Sequence, residues 1–127
     1  MHENEVARIV VDAAYHKHRE LGPGLLESVY EKILAFELRN RGLYVESQVA
    51  IPVTWKSLQL ETAFRADMIV ERTVVLELKS VDEVAKVHKK QMLTYLKVSN
   101  RRLGLLINFG APYIRDGIER IINGKLE

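Results

Sequence analysis

Two strand-like segments near the middle of the chain constrain its fold more than any other feature. Ala63-Phe64-Arg65-Ala66-Asp67-Met68-Ile69-Val70 and Val74-Val75-Leu76-Glu77-Leu78-Lys79 are separated only by Glu71-Arg72-Thr73. Two such runs joined by a tight connection read as a β-hairpin. Folding about Arg72 sets Asp67 nearly opposite Glu77. Residues two apart on a strand share a face, so Glu77 and Lys79 point the same way. Two acids and a lysine then meet on one patch of an otherwise apolar sheet. Buried charge needs compensation. A cross-strand ion pair supplies it on a half-exposed sheet, and a divalent metal supplies it where the acids are buried together.

The flanking sequence extends this unit. Residues from about Glu5 to Leu21 carry a helical stripe of Val6, Ile9, Val10, Ala13 and Ala14, which Gly22-Pro23-Gly24 stops. A second helix is expected from about Leu25 to Arg41, with Leu26, Val29, Tyr30, Ile33 and Phe36 on one face and Gly42 as its stop. Strand-like runs follow at Tyr44–Trp55, Leu58–Val70 and Thr73–Ser80, an antiparallel meander. A third helix is expected over about Val81 to Val98, with Val84, Val87, His88, Gln91, Met92, Tyr95 and Leu96 facing the core. Leu103 to Phe109 is apolar enough for a strand buried on both faces. A last short helix is expected over about Tyr113 to Ile122. The order α-α-β-β-β-α-β-α predicts an α/β sandwich around a mixed sheet.

A chain of 127 residues suits one domain, 1–127, with one core. No apolar run approaches the ~20 residues that span a bilayer, and the acidic start Met1-His2-Glu3-Asn4-Glu5 does not read as a signal peptide. No membrane partner is expected. The absence of cysteine excludes disulfides, thiolate metal sites and cysteine nucleophiles, and a cytoplasmic location is expected. The net charge of +2 says little about nucleic acid. Its distribution says more: Lys86, Lys89, Lys90, Lys97, Arg101 and Arg102 fall in one stretch without an acid. Such a stretch attracts phosphate backbones, or is a solvated helix face.

Asp, a spacer and Glu-x-Lys on the second and third strands of such a core resemble the PD-(D/E)XK nuclease superfamily. Gly24-Leu25-Leu26-Glu27-Ser28-Val29-Tyr30 resembles the signature of its GxxExxY branch. The blocks His18–Gly24, His88–Leu96 and Leu103–Phe109 fit the same resemblance, which runs from about His16 to Asn123. Ala66 stands before Asp67 where the usual motif has proline. That proline shapes backbone and carries no chemistry.

The resemblance implies a restriction-endonuclease-like α-β-β-β-α-β core with a mixed sheet flanked by helices, and a Mg²⁺- or Mn²⁺-dependent nuclease acting on DNA. It implies Asp67, Glu77, the Leu78 carbonyl and Glu27 as metal ligands, and Lys79 as the group that orients or deprotonates water. Gln91 is implied in support and Tyr95 as a site wall. Tyr30, Lys86, Lys89, Lys90 and Tyr95 are expected near nucleic acid, although a packed core tyrosine is the favoured reading of Tyr30. With Gly24 as cap, Glu27 would fall at the third helical position, where a glutamate also favours the helix. His18 and His88 are expected to be hydrogen-bonded structural residues or phosphate contacts. A homodimer is expected from fold analogy. A non-catalytic nucleic-acid-binding module on the same fold is the alternative.

Overall fold

The computed structural model describes residues 1–126, so position 127 of the expected domain lies outside it. Its elements run α1 (Glu3–Leu21), α2 (Glu27–Asn40), β1 (Val45–Trp55), β2 (Leu58–Val70), β3 (Val74–Lys79), α3 (Lys86–Val98), β4 (Leu103–Asn108), a 3₁₀ turn (Ile114–Gly117) and β5 (Ile118–Ile122). The five strands lie in the order β1-β2-β3-β4-β5. Only β3 and β4 are parallel, bridged by α3, and the other neighbours are antiparallel. This is the mixed, helix-flanked α/β sheet of a restriction-endonuclease-like domain.

Strand alternation divides the core into two layers. Val74, Leu76 and Leu78 pack with α1 and α2 around Val10, Tyr30, Leu34 and Phe109. Val75 and Ile69 pack on the other side with Met92 and Leu96 of α3. All six residues of β4 are buried, as its continuous apolar run requires.

Four expectations are corrected. First, α2 begins at Glu27, with Leu26 as its cap, so Glu27 is the first helical residue rather than the third. Second, α2 buries Tyr30, Leu34, Ala35 and Leu38, while Leu26 and Phe36 are exposed. At about 100° per residue, Phe36 lies roughly opposite Leu34, and the side bearing small Ala35 allows the closer approach. Third, α3 starts at Lys86, five residues late, because the Asn108 side chain holds Val81 in a non-helical conformation. Its Oδ1 accepts from the Val81 N–H (3.0 Å) and its Nδ2 donates to the Val81 carbonyl (2.8 Å). Only Met92 and Leu96 of the expected α3 stripe are buried, and Val87 and Gln91 are exposed.

Fourth, the final helix is a 3₁₀ turn followed by strand β5. Ile118, Ile121 and Ile122 are β-branched and pair with the open edge of β4. At Gly117 a Cβ would stand 2.4 Å from the Asn108 carbonyl, so only glycine permits the approach that starts this strand.

Candidate active site

The β2–β3 ladder runs Val70↔Val74, Ile69↔Val75, Met68↔Leu76 and goes no further. Beyond it the two strands part, and the acids sit at the fork. Asp67 Oδ2 accepts a hydrogen bond from the Leu78 N–H at 2.8 Å. The Asp67 N–H points at Glu77 Oε1 at 3.4 Å. Side-chain-to-backbone contacts thus replace the missing ladder bonds, and they hold the two carboxyls close together.

The β1–β2 ladder breaks at the same place. Ser47 pairs with Met68 and Val49 with Ala66, but Gln48 and Asp67 between them do not pair. Gln48 has φ +52°, a left-handed conformation uncommon for a residue with a Cβ. The strands roll over at this point. Val45, Met68 and Val70 face the α1–α2 layer, whereas Val49, Ile51, Phe64 and Ala66 face the α3 layer. Asp67 lies on the roll itself.

A polar cavity of about 170 Å³ opens beside the fork, lined by Glu27, Ser28, Glu31, Gln48, Asp67 and Leu78. Helix α2 supplies its outer wall. Glu27 Oε1 accepts from the Ser80 N–H at 3.2 Å, and the Ser80 hydroxyl donates to the Leu25 carbonyl at 2.7 Å. These two bonds tie the start of α2 to the end of β3.

The charges here are poorly compensated. Burial first, and then the charge of Asp67, push the Glu77 carboxyl up to about 8, while nearby Lys79 pulls it down only weakly. Burial also raises Glu31, with Asp67 adding to it and a hydrogen bond from Gln48 Nε2 (2.6 Å) opposing it. The Tyr95 hydroxyl is raised by burial and by the charges of Glu77 and Asp67. The ring of Tyr95 stacks on Phe64 with centroids 3.7 Å apart, so it walls the acid pair on the α3 side.

A family model described as the PD-(D/E)XK nuclease superfamily matches residues 4–121. The chain belongs to that superfamily. No curated protein and no solved structure matches it.

PD-(D/E)XK nucleases typically work with a divalent metal, and the donor set can be tested against one. Among the described residues, no three Asp, Glu or His side chains form a ready-made ion cage. A hard cation needs less: magnesium keeps several waters and is commonly held by one or two carboxylates. Two adjoining carboxylates, one of them partly buried and lifted toward neutrality by that burial and then by the other's charge, fit that demand. The Leu78 N–H points toward β2, and the carbonyl of a strand residue leaves by the same edge as its N–H. The Leu78 oxygen therefore also faces the fork.

The remaining expected residues divide. Glu27 shares the cavity with Asp67. Lys79 follows Glu77 on the same face of β3, partly buried. Gln91 lies one turn before Tyr95 on α3 and is exposed. Lys86 and Lys90 are exposed on α3, while Lys89 pairs with Glu119 at 3.0 Å.

Tyr30 is corrected from nucleic-acid contact to core. It is 1% exposed and stacked on Phe109, and its hydroxyl accepts from the Leu25 N–H and donates to the Gly22 carbonyl. His18 is buried, with Nε2 2.8 Å from the Ala111 carbonyl, a structural role. The Nδ1 of His88 is buried and has no hydrogen-bond partner among the described residues.

Sequence reasoning missed Glu31 and Gln48. Glu31 was findable, because it lies one helical turn after Glu27 on the same face. Nothing in the sequence marks Gln48.

Proposed function

We propose that this chain, a member of the GxxExxY branch, hydrolyses phosphodiester bonds in DNA with Mg²⁺ or Mn²⁺. The observation that carries the reading is the close, partly buried Asp67–Glu77 pair at the strand fork, with Lys79 next along the same face. A pair of acids whose charges raise each other's cost is poor architecture for stability alone and good architecture for a cation.

Asp67 and Glu77 would hold the ion, with the Leu78 carbonyl as a third oxygen and Glu27 across the cavity. When bound, the ion supplies positive charge to the phosphate and lowers the pKa of water. Lys79 orients the attacking water and offsets phosphate charge. Phe64 and Tyr95 close the α3 side and limit bulk water. Lys86 and Lys90 of α3 draw the phosphate backbone in.

The test is cleavage of labelled single-stranded, double-stranded, flapped and junction DNA, and of RNA, with Mg²⁺, Mn²⁺ or EDTA, beside Lys79→Ala. Metal-dependent cutting that the variant loses supports the reading and names the substrate. Binding without cutting by either protein overturns it in favour of a non-catalytic module.

A further inference from the structure

The first half of β2 has a neighbouring strand on one side, β1, and none on the other among the described residues. From Leu58 to Ala66 it pairs only with β1, and β1 is the sheet edge. Val49, Ile51, Phe64 and Ala66 still pack on α3, and past Ile51 and Phe64 the two strands form an arm that leaves the body. At ~3.3 Å per residue, the turn at Leu58 lies about 30 Å along β2 from Asp67.

The arm has two unlike faces. Cross-strand partners share a face, and the register joins Val53 with Leu60 and Trp55 with Leu58. These four residues form one apolar face, with Thr54 and Gln59 on the other. Trp55 is 67% exposed, Leu58 55% and Leu60 47%. The register slips by two residues between Ile51 and Val53, and a slip of two preserves the face. The apolar face of the arm thus continues the side on which Phe64 stacks against Tyr95, beside the acid pair.

Two observations select the occupant. The first is size. A patch two strands wide and three residues long measures on the order of 10 Å by 10 Å, far below the ~800 Å² a side of a stable protein interface. It matches one or two bases. The second is charge. Lys56 sits at the tip with its ammonium 5.8 Å from the Trp55 ring centre. On the same side of the sheet, Lys86, Lys90 and Lys97 of α3 are exposed and form no ion pair among the described residues. An exposed indole with aliphatic neighbours and a lysine at its ring, on the side of the sheet that carries the α3 lysines, is the composition of a single-strand stacking platform.

We propose that the β1–β2 arm is a base-binding platform that stacks unpaired bases on Trp55, so that the site at its root acts on nucleic acid with a single-stranded segment beside the cut. The inference rests on the nucleic-acid reading above and names its substrate class. Stacking on an aromatic is worth ~1–3 kcal/mol per base, which corresponds to a roughly 5- to 150-fold change in affinity.

Trp55 is the only tryptophan of the chain, so it reports on itself. The full chain in EDTA is titrated with a 20-nucleotide single strand, the matching blunt duplex, and the duplex with a single-stranded tail. Indole emission and the anisotropy of labelled DNA are both followed. Quenching by the single strand and the tailed duplex, with at least five-fold weaker binding by Trp55→Ala and recovery in Trp55→Phe, supports the platform. DNA binding with unchanged indole emission and unchanged affinity in Trp55→Ala overturns the arm but leaves the nuclease reading standing. Equal quenching by the blunt duplex overturns the preference for unpaired bases. A blue shift that grows with protein concentration without DNA overturns the proposal in favour of a second copy on the arm. Binding to none of the three DNAs refutes the nucleic-acid reading itself. Because Trp55 is exposed at a turn, Trp55→Ala is expected to melt within a few degrees of the parent.

Discussion

Glu77→Gln tests the acid pair without any substrate. Burial and the charge of Asp67 lift the Glu77 carboxyl from the ordinary 4.5 to about 8, so folded metal-free protein holds this proton more tightly than unfolded chain. A raised acid contributes stability that is fully present below the unfolded value and is lost as pH climbs through the folded one. Metal-free protein should therefore weaken between about pH 4.5 and 8. At ~1.4 kcal/mol per pKa unit, the full displacement bounds the loss at ~5 kcal/mol. Glu77 is only partly buried, and screening by water brings the expected loss to ~2–3 kcal/mol. Glutamine keeps the shape and cannot ionise. In EDTA the variant should melt with the parent near pH 4.5 and roughly 5–10 °C above it at pH 9. Adding Mg²⁺ at pH 9 should raise the parent's midpoint, since the ion binds only the folded state, and raise the variant's much less. Melting curves by circular dichroism over pH 4.5–9, with and without Mg²⁺, read all of this. If the variant instead melts below the parent at pH 9 in EDTA, the Glu77 charge is stabilising. The pair is then a structural partner of Lys79, and the metal argument fails.

Three other perturbations separate chemistry from architecture. Lys79→Ala should abolish cleavage while keeping the Mg²⁺-induced rise in melting temperature; full activity in a nuclease assay refutes its role. Tyr30→Phe should cost ~0.5–1.5 kcal/mol by urea unfolding, because the part-buried Gly22 carbonyl and Leu25 N–H each lose a partner; an unchanged stability would show that these two hydrogen bonds do not hold the loop. Gly110→Ala should be more disruptive, upward of ~2 kcal/mol, since its Cβ would stand 2.4 Å from the Val81 carbonyl oxygen, part of a backbone that cannot swing aside; a melting temperature equal to the parent's would contradict that packing.

Much of this architecture is legible in the sequence where local pattern and tertiary demand agree. The β2–β3 hairpin is such a case: its alternation and short connection set the register, and Asp67 does fall beside Glu77. The apolar run of β4 is another. Pattern fails where a distant group decides. The start of α3 depends on the Asn108 side chain from another strand. The β5 segment depends on the free edge of β4; alone, Ile118-Glu119-Arg120-Ile121-Ile122 suits a helix equally well. On α2 the periodicity was visible, but the choice of face depended on packing against α1 and the sheet. Of the candidate site residues, those on regular strands came from pattern, and Glu31 could have come from helical spacing. Gln48 could not, because its importance lies in a backbone conformation.

That conformation explains why the acids meet at this point on the sheet. In an unbroken β1–β2 ladder, Asp67 would point squarely to one face, with residues 64, 66, 68 and 70 all on the other. The packing shows otherwise: Phe64 and Ala66 face α3, while Met68 and Val70 face α1 and α2. Gln48 at φ +52° turns the pair over, at an order of 1 kcal/mol of strain. The roll leaves Asp67 free to reach along the sheet to the Leu78 N–H rather than out of it. It also puts the apolar face of the arm on the side of α3 and its lysines. One left-handed residue thus couples two features that would otherwise be independent: the placement of an acid at the fork, and the direction in which the arm presents Trp55.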